Sequence, residues 1–117
     1  MNDEDIDIVY LTYYEAVYSQ AIAGSDLSEV RRLHAERLPI NHRFMGTEQT
    51  GLHKAAASGT DALFYYFLLH PDIDLSITDV NGRDAASYAE IMGRWERGEE
   101  IRQQARQGQQ LKFCPKP

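Results

Sequence analysis

The 117 residues predict an all-α stack of helix-turn-helix units. Two observations carry this. Apolar residues recur at spacings of three and four in short blocks, each closed by glycine or proline, as one buried face of a helix requires. The blocks themselves return after about 33 residues, the mark of an architecture in which no unit buries its own apolar face and stacking supplies the core. Residues 21–41 align with residues 55–76 through an alanine, a glycine-bearing turn, a helix ending in leucine and an isoleucine-containing loop, and residues 81–93 restart the unit.

The elements follow in order. Ile6, Tyr10, Tyr14, Val17, Tyr18 and Ala21 predict a first helix over residues 6–23, behind an acidic N-terminal segment of residues 1–10. Gly24 interrupts it. Ser25 or Asp26 then serves as N-cap, because a short oxygen-bearing side chain accepts from a backbone N–H two or three residues on. Leu27, Val30, Leu33 and His34 line the second helix, with Glu29, Arg31 and Arg32 outward, and Pro39 ends it. Residues 41–49 read as an extended loop turning near Gly46. Thr50 caps a short helix through Ala57, whose alanines allow close contact, and Gly59 closes it. Thr60 or Asp61 caps the next helix, with Leu63, Phe64, Phe67 and Leu68 as its apolar face and His70-Pro71 as its stop. Residues 72–82 form a loop with the turn pair Asn81-Gly82. The last pair spans residues 84–92 and, after Gly93, a more polar helix over about 95–106. Residues 107–117 carry little to pack and are expected to be a flexible tail.

One segment has a specific likeness. Thr50-Gly51-Leu52-His53-Lys54-Ala55-Ala56-Ala57-Ser58-Gly59 resembles the ankyrin signature Thr-Pro-Leu-His-x-Ala-Ala-x-x-Gly, with Gly51 in place of the proline. Leu68-Leu69 followed by Pro71-Asp72-Ile73-Asp74-Leu75-Ser76 resembles the outer-helix end and connecting loop, and Asp79-Val80-Asn81-Gly82-Arg83 resembles the hairpin tip. Asp84-Ala85-Ala86-Ser87-Tyr88-Ala89 replaces the signature in the third unit, and residues 18–27 keep only the helix-turn-helix outline. The resemblance implies an ankyrin-type repeat solenoid of about three repeats with short hairpin-like loops in a single domain. Its parts are a degenerate capping repeat at residues 11–46, a central repeat at 47–80 and a C-terminal capping repeat at 81–106. It also implies that His53 hydrogen-bonds the backbone of the neighbouring loop.

Composition narrows the function. A hydrophobic fraction of 43% and a charged fraction of 26% suit one soluble globular domain. The longest apolar run, residues 62–69, is far short of the roughly 20 residues of a membrane-spanning helix. An acidic N-terminus is unlike an export signal, so cytoplasmic residence is expected. Residues 1–93 hold 15 acidic and 6 basic side chains, and residues 94–117 hold 3 and 6. An acidic body argues against a nucleic-acid partner, since phosphate binding draws on lysine and arginine. It either favours a cationic protein surface or simply solvates the exterior.

No catalytic or cofactor-binding pattern is present. His34, His42 and His70 lie in separate segments without metal-ligand spacing and are expected at the surface or in loops. Asp72, Asp74 and Asp79 lack the order of a calcium loop. Cys114 stands alone, without a thiol or histidine partner in sequence. The expectation is therefore a non-catalytic module that binds a protein, as an inhibitor or immunity- or antitoxin-like protein, or else as an adaptor or translocated effector; self-association is the competing structural reading. The resemblance places partner contacts in a concave groove at Lys54, Ala57, Ser58, Tyr88, Ile91 and Met92. Loop tips at Phe44, Met45, Thr47, Glu48 and Gln49, and at Thr78, Asp79, Val80 and Arg83, would border it. Phe44 and Met45, adjacent and costly to leave in water, are expected at its edge. Tyr65 and Tyr66 fall opposite Leu63 and Phe67 and serve either as exposed anchors or as contacts across neighbouring outer helices.

Overall fold

The computed structural model of the chain describes residues 3–113, with side chains over residues 11–107. Cys114 lies outside the described residues. Six α-helices form among them: α1 (Asp3–Ala23), α2 (Leu27–Glu36), α3 (Gly51–Ser58), α4 (Asp61–Leu68), α5 (Ala85–Ile91) and α6 (Trp95–Phe113). Extended pairing among the described residues is confined to an isolated antiparallel bridge between Arg43 and Thr50.

Helices begin where the sequence offers an oxygen. The Asp26 carboxylate accepts the Glu29 N–H at 3.2 Å, the Thr60 hydroxyl accepts that of Leu63 at 3.3 Å, and Asp84 accepts that of Ser87 at 2.8 Å. Each satisfies one of the amides left without a carbonyl at a helix start and is worth about 1 kcal/mol. Thr50 goes further: its hydroxyl takes the His53 N–H while the His53 ring takes the Thr50 N–H, a reciprocal capping box.

The helices pack as pairs and the pairs stack. α1 packs on α2 and α3, α3 on α4 and α5, and α5 on α6. This puts α1, α3 and α5 in an inner row and α2, α4 and α6 in an outer one. The outer helices start at Leu27, Asp61 and Trp95, two equal steps along the chain. The result is elongated, 58 × 34 × 29 Å.

Between the rows lies a continuous core in which Tyr18, Ile22, Val30, Leu33, Leu52, Leu63, Phe64, Phe67 and Ile101 are almost wholly buried. Side chains of this size contribute about 1.5–3 kcal/mol each when fully buried. Ala55, Ala56, Ala85, Ala86 and Ala89 line the inner row, and their small size lets α3 and α5 approach. Both Tyr65 and Tyr66 reach across to neighbouring outer helices: the Tyr65 hydroxyl donates to Glu100 at 2.7 Å, and Tyr66 stacks on His34.

The two ends of the chain show where the helices run beyond their expected bounds. α1 starts at Asp3, ahead of the expected Ile6, and takes in more of the acidic segment. α6 runs on to Phe113, past the expected end near residue 106; glutamine, arginine and leucine are good helix formers. The basic residues after Gly93 bond back to α3. Arg94 donates to the Ala57 carbonyl at 3.2 Å, and Arg97 donates to the carbonyls of Ala55 and Ala56 at 3.1 and 3.3 Å. The two guanidiniums thereby cap the C-terminal carbonyls of α3, where cations are electrostatically favoured. Arg97 also pairs with Asp61 at 2.8 Å and lies over the Phe64 ring, joining three helices.

Candidate binding surface

The exposed face of the inner row is built from small and polar residues on successive turns. Lys54 and Ser58 lie one turn apart on α3, Tyr88 comes from α5 and Met92 caps that helix. They line a hollow of about 200 Å³ whose remaining wall is Gln49, Ala57 and, from α1, Ser19, Ile22 and Ala23. Lys54, Ser58, Tyr88 and Met92 are thus brought together as the repeat pattern expects. The α1 wall went unread because residues 18–27 resemble the signature so weakly; Ser19 and Ala23, four apart on one helix face, were the available signal.

The loop tips divide into structure and surface. In the first, the Phe44 N–H donates to the Gln49 carbonyl at 2.7 Å and the Glu48 N–H to the Phe44 carbonyl at 2.8 Å, with Gly46 at φ 90° and Glu48 at φ 62° making the reversal. Met45 points outward, 54% exposed, but Phe44 is only 7% exposed, stacked on Tyr18 at 5.3 Å. Phe44 therefore belongs to the core and not to a binding edge. In a bridged loop successive side chains face opposite ways, so adjacent apolar residues cannot both be surface anchors.

Gln49 and Asp79 are likewise buried. The Asp79 carboxylate accepts the Asn81 and Arg83 N–H groups at 2.9 and 3.0 Å and is held below its ordinary carboxylate range by those bonds and by one from Gln49, which outweigh its desolvation. Asp79 holds the second tip in shape, while Gln49 also forms part of the wall of the hollow. Arg83 is half-buried, and its carbonyl accepts from the His53 ring at 2.9 Å. Thr47 is exposed, with its carbonyl accepting the Val80 N–H at 2.9 Å, which ties the two tips together. Glu48 is engaged by Arg43 at 3.3 Å. Val80, like Met45, is exposed.

The histidines all have structural partners. His53 donates from Nε2 to the Arg83 carbonyl, which leaves Nδ1 to accept from Thr50 at 3.2 Å. His42 contacts the buried Glu15 carboxylate at 2.9 Å, and the same oxygen accepts the Met45 N–H at 2.9 Å. The His70 Nδ1 accepts the Asp72 N–H at 3.1 Å. His34, expected at the surface, is instead held between the Tyr18 hydroxyl at 2.6 Å and the Tyr66 hydroxyl at 2.8 Å, bridging α1, α2 and α4.

Burial, with a smaller contribution from His70, pushes the His34 ring down from 6.5 to about 4, and burial likewise lowers His53. In the unfolded chain His34 takes up a proton near pH 6.5, while the folded protein resists until about pH 4. Stability is therefore expected to fall as pH drops through that window and to level below it. Because the ring is only partly buried, the effect is about 1–2 kcal/mol. Urea denaturation of the native chain and of His34→Gln between pH 7 and pH 4 measures it: the native chain should lose more stability over that range, and parallel curves would refute the assignment.

Neither a comparison with protein-family models nor one with curated proteins finds a match to the chain.

Proposed function

We propose that the chain is a short ankyrin-type repeat stack that binds a partner protein across its inner-row face, without chemistry of its own. The architecture is supported by three stacked helix pairs in equal steps, and by a His53 whose ring bonds the neighbouring loop in the way the residue 50–59 signature implies. The observation that carries the binding reading is a hollow on the inner-row face with an exposed large apolar side chain in its wall. Met92 lies in the wall of the hollow, 52% exposed, beside the exposed Ile91, and Met45 in the first loop tip is 54% exposed. Large apolar groups exposed on a concave, partly polar surface gain by being covered.

Occlusion is the mechanism such a surface performs: the stack covers a functional patch on its partner. An inhibitor or immunity- or antitoxin-like protein works this way, and an adaptor or translocated effector would use the same face. The net charge of −6 favours encounter with cationic proteins at long range. The triple variant Met45→Ala, Tyr88→Ala, Met92→Ala tests the reading. It should weaken capture of the partner that co-purifies with the native chain by at least about 30-fold, as loss of central anchors does, with an unchanged far-ultraviolet helical spectrum. Undiminished capture would overturn it.

Self-association has one observation in its favour, the 66% exposure of Trp95 at the start of α6 together with exposed Leu69 on the outer row. A monomer mass that is independent of concentration by sedimentation would dispose of it.

A further inference from the structure

We infer that Lys54 is the anchor for a partner carboxylate: the groove takes a protein segment that sets one aspartate or glutamate on the Lys54 ammonium and apolar side chains against Met45, Tyr88 and Met92. This rests on the groove reading above and names the chemistry of its occupant. Net charge alone points the other way, toward a basic segment. The local balance reverses it, because the carboxylates around the groove are already satisfied. Glu15 accepts from His42 and from the Met45 N–H. Asp79 accepts from two backbone amides of its own tip. Glu48 pairs with Arg43, and Glu90 with Arg102.

Lys54 is in the opposite position. Its ammonium lies 4.6 Å from the centre of the Phe44 ring, and it takes part in none of the ion pairs among the described residues. It is half-buried in the wall of the hollow, with Ser19 and Ser58 in the same wall. Desolvation, opposed in part by the charge of Glu15, holds the ammonium below its ordinary range. A half-buried cation with a ring as its contact gains from a carboxylate, and a charge-assisted hydrogen bond of this kind is among the stronger ones available to an interface. A basic segment would instead meet like charge in a partly desolvated site.

Selection of a displayed library of random peptides on the immobilised full chain tests this. Peptides enriched on the native protein should carry aspartate or glutamate among apolar residues and should bind Lys54→Met at least about tenfold more weakly. Lys54→Glu should enrich lysine or arginine at the matching place. Peptides that need Tyr88 and Met92 yet show no acidic preference, or that tolerate Lys54→Met, would overturn the Lys54 assignment alone. Peptides indifferent to Tyr88→Ala and Met92→Ala would overturn the groove itself, and a library from which nothing is enriched would overturn both.

Discussion

Replacing Phe44 with alanine is expected to cost about 3–5 kcal/mol of stability, whereas Met45→Ala should stay within about 0.5 kcal/mol. The two residues are neighbours in sequence and of similar apolar character, so only their orientation separates them. The Phe44 ring stacks on the fully buried Tyr18 with planes 13° apart, packs edge-on against His42 at 5.6 Å and carries the Lys54 ammonium above it. Truncation would leave a cavity lined by two aromatic rings that are themselves hydrogen-bonded, Tyr18 to His34 and His42 to Glu15, and so cannot readily collapse into it. Met45 ends in solvent and leaves no cavity. For a domain whose whole stability is of the order of 5–15 kcal/mol, the first change threatens folding and the second does not. Urea unfolding followed by far-ultraviolet circular dichroism measures both. Equal losses would show that Phe44 is not a core residue. Partner capture should respond in the reverse sense, falling with Met45→Ala at unchanged stability.

Phe44 also marks the boundary of what the sequence makes legible. Local signals carried far: three-and-four spacing located the six helices, and Asp26, Thr50 and Thr60 act as the caps their side-chain oxygens suggested. Leu63, Phe64, Phe67 and Leu68 are buried as their common face predicted. What stayed hidden depends on residues far apart in the chain. The inward turn of Phe44 is set by pairing between Arg43 and Thr50 and by Tyr18 on a different helix. His34 is surrounded by tyrosines 16 residues before it and 32 after. Arg97 reaches carbonyls 41 and 42 residues back. No periodicity within a helix reports such pairings. Lys54, Ser58, Tyr88 and Met92, expected on one face, line one hollow together with Gln49, while the burial of Asp79 was not legible because a loop tip uses polar side chains to hold itself as readily as to face outward.

Gly51→Pro, which would restore the signature residue, is expected to destabilise the protein by about 1–3 kcal/mol or more. On local grounds the change should help. Position 51 is the first residue of α3, where proline's missing N–H costs nothing and its fixed φ suits the helix, and a restricted unfolded chain would add about 0.4–1 kcal/mol. Packing reverses the sign. A Cβ at Gly51 would stand 2.5 Å from two carbons of the Phe67 ring and 2.6 Å from the Tyr18 hydroxyl. Neither neighbour has room to yield. Both are fully buried, the Tyr18 hydroxyl is committed to His34, and Phe67 is held edge-on between His34 and Tyr66. The glycine is therefore explained by the aromatic bulk that this chain places between its inner and outer rows. Gly51→Ala isolates the clash from the ring closure of proline and should be destabilising by itself. Shrinking the obstacle with Phe67→Leu should then make Gly51→Ala less costly than in the native background, a coupling that a double-mutant cycle reads directly. Additive losses would place the role of Gly51 elsewhere, and a more stable Gly51→Pro would mean that the Phe67 ring moves aside at little cost.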